Sequence, residues 1–118
     1  MDSNKVDDDA DLLENLRIEL RSGCLVVAAM SLLHREHYGY SLRQALVDIG
    51  LEIEESTLYP LLRRLESQGL LVSEWREEGR RKKRFYQLSP RGERVLDQLL
   101  IEWQTIHHAL ARVIGKVA

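Results

Sequence analysis

Apolar residues recur at helical spacing in five segments of the chain, and glycine or polar turn residues separate these segments. The predicted helices span about 11–20, 24–35, 41–49, 56–68 and 90 to near the C-terminus. The triplet "RSG" at 21–23 predicts a break between the first two. The pattern therefore predicts a mainly α-helical protein.

Two runs rich in branched and aromatic residues lie between the last two predicted helices. "LLVSEWRE" (70–77) and "KKRFYQL" (82–88) flank a polar stretch centred on Gly79, which is the pattern of a β-hairpin. "LEI" at 51–53 alternates and predicts one further, very short strand. Ser89 followed by Pro90 predicts a helix start, with serine as the N-cap and proline at the first helical position.

The predicted helix over 56–68 has two distinct sides. Its apolar side consists of Leu58, Leu61, Leu62 and Leu65. The opposite side carries Ser56, Pro60, Arg63 and Ser67, flanked by Tyr59 and Arg64. Ser56 or Thr57 is predicted to cap the helix, with Pro60 in or near its first turn, where a missing N–H is tolerated best.

The last predicted helix carries a heptad repeat. Its apolar residues alternate three and four positions apart: Leu96, Leu99, Trp103, Ile106, Leu110 and Val113. Residues 90–118 are therefore predicted to form a C-terminal dimerisation helix, assisted by the leucine stripe of the helix over 11–20. Trp103 is either a tryptophan of the dimer core or the aromatic wall of an effector pocket between subunits.

Charge is unevenly distributed, although the chain as a whole is nearly neutral, with 17 Lys and Arg against 19 Asp and Glu. Residues 1–20 hold seven acidic and two basic residues, a net of −5, so the remainder carries +3. Residues 1–10 are predicted to be an acidic, flexible arm. Five consecutive basic residues follow Gly79 at the predicted hairpin: Arg80, Arg81, Lys82, Lys83 and Arg84. Taken alone, they are either a solvated hairpin surface or a contact for phosphates.

From residue 24 onward the order is helix, helix, helix, hairpin, helix, which is that of a winged helix-turn-helix. In this fold the third of these helices, here 56–68, enters the DNA major groove, and the hairpin, called the wing, lies along the DNA backbone or the minor groove. Residues 11–89 are accordingly predicted to be the DNA-binding domain, with an additional N-terminal helix. The predicted DNA-binding residues are Ser56, Thr57, Tyr59, Arg63, Arg64 and the basic run from Arg80 to Arg84.

Two segments, "STLYPLLRRLESQGLLVSEW" (56–75) and "RFYQLSPRGERVL" (84–96), resemble the PadR family of bacterial transcriptional regulators. "YGYSL" at 38–42 resembles the start of the second helix of that family. The resemblance implies a homodimeric winged-helix repressor that dimerises through the helix after the wing. It also implies a small aromatic or drug-like effector. The chain departs from the family pattern in two places. The wing tip carries more basic charge than is usual in the family, which bears on affinity for the DNA backbone. The N-terminal helix with its acidic arm lies outside the common core, so the family's mode of regulation is not carried over to this chain.

Other classes of function find little support in the sequence. Cys24, the one cysteine, cannot form an internal disulfide; with its apolar neighbours it predicts a buried thiol in a cytoplasmic protein. His34 and His37 could share a helical face, but no cysteine pair or carboxylate completes a metal site. No catalytic constellation, cofactor motif, signal peptide or membrane-spanning run is recognisable, so neither an enzyme nor a membrane protein is expected.

The leading hypothesis is a homodimeric repressor that binds double-stranded DNA at a pseudo-palindromic operator and is released by an effector. A winged-helix protein-interaction module remains the alternative, with DNA access controlled by a regulatory protein or by the acidic arm folding over the wing. A third, weaker option is a structural dimer that binds nucleic acid without sequence preference.

Overall fold

The computed structural model describes the backbone of residues 2–115 and the side chains of residues 8–115. Within these ranges the chain forms four helices and a three-stranded antiparallel sheet. The elements are α1 (Asp2–Leu32), β1 (His37–Tyr38), α2 (Gly39–Asp48), α3 (Glu55–Ser67), β2 (Leu71–Glu78), β3 (Arg81–Leu88) and α4 (Pro90–Gly115). In the described part of the chain, no helix is long and apolar enough to cross a membrane.

One hydrophobic core joins the second half of α1 to α2, α3, the sheet and the start of α4. Its fully buried side chains are Met30, Leu33, Leu42, Leu46, Leu58, Leu62 and Leu96. These residues recur every three or four positions on their helices, so each helix turns one apolar side inward. This architecture confirms the predicted mainly α-helical, winged helix-turn-helix fold class.

The predicted hairpin is present and is the larger part of the sheet. Strands β2 and β3 pair from Leu71 opposite Leu88 to Glu78 opposite Arg81, and a two-residue turn, Gly79–Arg80, joins them. Gly79 has φ +65°, a left-handed conformation that glycine adopts without steric cost. The hairpin base is packed against the helices, whereas residues 74–82 are exposed, so the wing projects from the domain.

The third strand is not the predicted one. Residues 51–53 are irregular, with Ile53 buried in the core, and the short strand β1 instead pairs His37 with Tyr86 and Tyr38 with Phe85. An alternating triplet forms a strand only when it reaches a partner strand, and this one lies in the link between α2 and α3, where it turns Ile53 into the core. The prediction for 51–53 was wrong for that reason.

The predicted break at 21–23 is also wrong, because α1 runs without interruption through Gly23. A single glycine in a helix interior costs only about 1 kcal/mol relative to alanine, which the rest of a long helix can offset. The same helix contains Asp8 and Asp9 of the predicted flexible arm; the side chains of residues 1–7 lie outside the described residues. Cys24, predicted to be buried, is exposed on α1.

The helix starts agree with the sequence at α4 and differ at α3. Ser89 Oγ accepts a hydrogen bond from the Gly92 backbone N–H at 2.9 Å and donates to the Gly69 carbonyl at 2.6 Å, which confirms Ser89 as the cap of α4. A side chain at Gly92 would collide with the carbonyl oxygen of Leu70, so glycine lets α4 lie close to the hairpin base. The N-cap position of α3 is Glu54 rather than Ser56 or Thr57, which puts Pro60 in the second turn.

Candidate nucleic-acid interface

Helix α3 presents a polar, basic side to solvent. Leu58, Leu62 and Leu65 are buried, which fixes the helix against the core. The helical period then turns another set of side chains outward, and all five are exposed: Ser56, Thr57, Pro60, Arg63 and Arg64. The structure thus brings four of the five predicted recognition residues, together with Pro60, onto one accessible surface.

Tyr59, the fifth, lies on a different side of α3 and is half-buried. Its ring packs over Gly39 at the start of α2: a Cβ at Gly39 would lie 2.6 Å from the Tyr59 hydroxyl and 2.8 Å from its Cζ. Tyr59 therefore fills the space above Gly39 and holds α2 and α3 at a fixed separation.

The turn between α2 and α3 is held by arginine side chains from neighbouring helices. Arg43 Nε donates to the Ile53 carbonyl at 2.9 Å, and its Nη1 lies 3.6 Å from Glu55. Arg21 of α1 donates to the Glu52 carbonyl. These contacts position the N-terminal end of α3, where the exposed hydroxyl residues begin.

The five basic residues of the wing divide into two groups. Arg80, Arg81 and Lys82 are exposed at the wing tip, and among the described residues none of them forms an ion pair or a side-chain hydrogen bond. Lys83 Nζ, by contrast, lies 3.2 Å from Glu78 and 4.2 Å from the centre of the Tyr38 ring. The hydrogen bond with Glu78 raises the pKa of Lys83.

Arg84 is held at the wing base by residues of α3 and β2. Its Nε donates to Ser73 Oγ at 2.9 Å and its Nη2 to Glu66 Oε1 at 2.9 Å, while Ser73 Oγ donates to the other oxygen of Glu66. The guanidinium carbon lies 5.6 Å from the ring centres of both Trp75 and Tyr86. Burial raises the pKa of Tyr86, so that ring stays neutral beneath the guanidinium. Arg84 is therefore committed to contacts within its own chain.

The opposite side of the wing base is held in a similar way. Arg76 of β2 forms ion pairs with Glu74 and with Glu36, which precedes β1. Its guanidinium carbon lies 4.8 Å from the Phe85 ring centre. The wing is thus tied to the domain on both sides.

Several of these contacts were not foreseen from the sequence. Glu66 pairs with Arg84, eighteen positions away, rather than with an arginine of its own helix. Trp75, opposite Arg84 in the hairpin, is 62% exposed. The contact between Glu66 and Arg84 is not local in sequence, because it depends on how the hairpin packs against α3.

The apolar residues of α4, the predicted dimerisation helix, are packed against the core in its first part and exposed in its second. Leu96 is fully buried in the core of its own chain and Leu99 packs against that core, whereas Trp103, Ile106, Leu110 and Val113 are between 43% and 67% exposed. Four leucines of α1 are exposed as well: Leu12, Leu13, Leu16 and Leu20. Leu96 therefore belongs to the domain core, and the exposed apolar seam of α4 begins after Leu99.

Trp103 stacks on His107, with the ring centres 5.1 Å apart and the planes 9° from parallel. An open cleft of about 720 Å³ lies between α1 and the polar side of α3, where Ser56, Thr57, Pro60 and Arg64 line it; Trp103 is not among its lining residues. Within the described residues, no group of three or more His, Cys, Asp and Glu side chains could hold a metal ion.

Comparison with known proteins agrees with this architecture. The profile of the family described as "Transcriptional regulator PadR-like family" matches residues 29–98. A transcriptional regulator of Mycobacterium tuberculosis is 43% identical over 63 residues, which are 53% of this chain and 59% of that protein, so the match spans less than two thirds of the relative.

Solved structures extend the likeness to most of the chain. A PadR family transcriptional regulator from Eggerthella lenta superposes with a TM-score of 0.82 at 39% identity, covering 91% of this chain and 96% of that one. A PadR-like transcription factor from Bacteroides fragilis gives a TM-score of 0.71 at 33% identity over 84% and 98% of the two chains. With its fold, its exposed basic helix and its wing, the chain belongs to the PadR-like family of transcriptional regulators.

Proposed function

We propose that this protein is a homodimeric transcriptional repressor that binds a specific, pseudo-palindromic DNA site. The observation that carries the proposal is the surface formed by the exposed side of α3 and the wing tip. The α3 side supplies hydroxyl and guanidinium groups, which can read base edges, and the wing tip supplies three cations without partners among the described residues.

The roles within this surface follow from exposure and pairing. The α3 residues Ser56, Thr57, Arg63 and Arg64 would face the major groove, because they lie on the exposed side of the helix. The tip residues Arg80 to Lys82 would contact phosphates, which position the protein without reading sequence. Tyr59 and Arg84 would support this surface from behind rather than touch DNA, since their side chains are engaged within the chain.

Dimerisation would cover the exposed apolar residues of α1 and α4. Leu12, Leu16, Trp103, Ile106 and Leu110 are all at least 43% exposed, although large apolar surfaces of this kind are rarely left open to water. A second copy of the chain is the occupant we propose, because the heptad spacing of α4 suits pairing with another helix. Two-fold symmetry would then place the two α3 helices in half-sites about one DNA turn, or a multiple of it, apart.

Regulation by an effector is the finer part of the proposal. An aromatic ligand bound beside Trp103 in the dimer seam would change the angle between the subunits and so the separation of the two α3 helices. The alternative, an acidic arm that folds over the wing, has less support. Helix α1 continues without a break from Asp2 into the core, so Asp8, Asp9 and Asp11 belong to one continuous helix rather than to a flexible segment that could fold back.

Fluorescence anisotropy with labelled DNA tests the proposal. The protein is titrated into a duplex from its own upstream region and into a scrambled duplex of equal length, at salt concentrations of roughly 50 to 200 mM. Specific recognition predicts a preference of about 10³-fold or more for the upstream duplex. Arg63→Gln is expected to reduce that preference, and Arg94→Gln, an exposed arginine of α4, is the matched control. Equal binding of both duplexes by the wild-type protein would contradict sequence-specific recognition of this region.

A further inference from the structure

We propose that Arg84 and Glu66 form a clamp that sets the angle of the wing relative to α3, and that Arg84 is a positioning residue rather than a phosphate contact. The inference rests on the proposed DNA-binding function and assigns a role inside it. It also separates Arg84 from the basic run in which the sequence places it.

The clamp closes a ring of hydrogen bonds between three elements. Glu66 lies on α3, Ser73 on β2 and Arg84 on β3, and each is bonded to both of the others. Both oxygens of the Glu66 carboxylate are used, one by each strand of the hairpin. A rotation of the hairpin about its base would therefore lengthen at least one of these bonds.

The environment makes the clamp stronger than an ordinary surface ion pair. The side chains of Arg84 and Glu66 are only 37% and 26% exposed, so water screens them less than it screens a fully exposed pair. The guanidinium carbon also lies 5.6 Å from the ring centres of both Trp75 and Tyr86, within the range of cation–π attraction, which favours the observed rotamer. Hydrogen bonds between ionised groups are about twice as strong as those between neutral groups.

The position of the clamp gives it leverage over the wing tip. Trp75 and Arg84 are directly opposite in the hairpin, and three residues on each strand lie between that pair and the turn at Gly79–Arg80, so the turn begins four residue steps away. At about 3.3 Å per residue this is an arm of ~13 Å. A 10° rotation at the clamp would then move the tip by about 2 Å, which is enough to take a side chain out of hydrogen-bond range of a phosphate.

The clamp and a direct contact between Arg84 and DNA predict opposite effects of Glu66→Gln on DNA affinity. If Glu66 only neutralised a DNA-contacting Arg84, Glu66→Gln would remove a negative charge near DNA and tighten binding. If the pair is a clamp, Glu66→Gln loosens the wing and weakens binding. Arg84→Gln should weaken DNA binding by a similar factor, about tenfold, because either substitution breaks the same pair of Arg84 and Glu66.

The experiment measures affinity for a duplex of about 30 base pairs that the wild-type protein enriches from a randomised pool. It compares Glu66→Gln, Arg84→Gln and the double variant with wild type. We expect each single variant to bind about tenfold more weakly and the double variant to be no worse than either. We also expect the salt dependence of Arg84→Gln to match wild type, whereas Lys82→Gln, the matched control, should lower the slope by about 0.9 for each phosphate that it no longer neutralises.

A second measurement does not involve DNA. Residual dipolar couplings of backbone amides in the free protein report the orientation of β2–β3 relative to α3, and we expect Arg84→Gln to change or average the couplings of the hairpin alone. If the wild-type protein enriched no duplex, the proposed function would be overturned, but the dipolar couplings would still test the clamp. Tighter binding by Glu66→Gln, or unchanged hairpin couplings in Arg84→Gln, would overturn the clamp.

Discussion

Replacing Arg80, Arg81 and Lys82 together with glutamine removes the three wing cations that have no partner among the described residues. For each phosphate that the protein no longer neutralises, the slope of log affinity against log salt should fall by about 0.9. A dimer has two wings and thus six such cations, so the expected change in slope is about 5.4. Were all five basic residues of each wing bound to phosphate, the two wings would contribute about 9 to the slope, and the triple replacement would remove only about 5.4 of it.

The remaining slope of about 3.6 would have to come from Lys83 and Arg84, and both are already paired at the wing base. Lys83 is engaged by Glu78 and Tyr38, and Arg84 by Glu66 and Ser73. The triple replacement should therefore remove nearly all of the wing's contribution to the salt dependence. Between roughly 50 and 200 mM salt, a fourfold change, a slope difference of about 5.4 means that the affinity of wild type falls by a factor about 10³ larger than that of the triple variant.

Fluorescence anisotropy over a salt series gives the slopes of wild type, the triple variant and Lys83→Gln. The single variant is the control, because it removes a cation from the same strand that is already paired. We expect its slope to stay within about 0.5 of wild type, against about 1.8 per dimer if Lys83 bound phosphate. A slope change of about 1.8 for Lys83→Gln, or an unchanged slope for the triple variant, would refute the conclusion that only the three tip cations contact phosphate.

Three further predictions concern packing, assembly and pH. Gly39→Ala should destabilise the fold by about 1–3 kcal/mol in urea unfolding, because its Cβ would overlap the Tyr59 ring; if Tyr59→Ala in the same chain recovers none of this stability, the ring is not the obstacle. Ile106→Asp should shift the protein from dimer to monomer in sedimentation equilibrium with little change in helical circular dichroism, since Ile106 is half exposed in the single chain; a dimer that persists would place the interface elsewhere. Burial lowers the pKa of His37 below its ordinary 6.5, so the unfolded chain binds more protons and stability should fall as the pH drops below about 6.5. Urea unfolding between about pH 8 and pH 5 should show a smaller decrease for His37→Gln, and an equal decrease would exclude His37 as the source.

Local patterns were sufficient to predict most elements. Leucine spacing predicted α3, the glycine between two strand-like runs predicted the hairpin, and Ser89 before Pro90 predicted the start of α4. These signals depend on residues within one or two turns of each other, where backbone preference and the burial of one side chain face agree. The order of elements then predicted the winged helix, and the chain belongs to the family that the segments resemble.

The failures have a common physical origin in contacts between distant segments. Gly23 is an acceptable helix residue within one long helix, and residues 51–53 bury Ile53 in the core instead of pairing with a strand. Leu96 has the spacing of a heptad position, yet the domain core covers it, while residues further along α4 remain exposed. Periodicity identifies which side of a helix is apolar, but not whether its own chain or another one covers that side.

The sequence by itself therefore determined most of the secondary structure, the polar side of α3 and the presence of a basic hairpin, because each depends on neighbouring residues. Only the tertiary structure decided which of the basic residues remain available. Glu66 and Arg84 are eighteen positions apart, and the hairpin register and its packing against α3 bring their charges to 2.9 Å. A charged side chain is neutralised by whatever the fold places beside it, and that partner is set by three-dimensional packing rather than by distance along the chain.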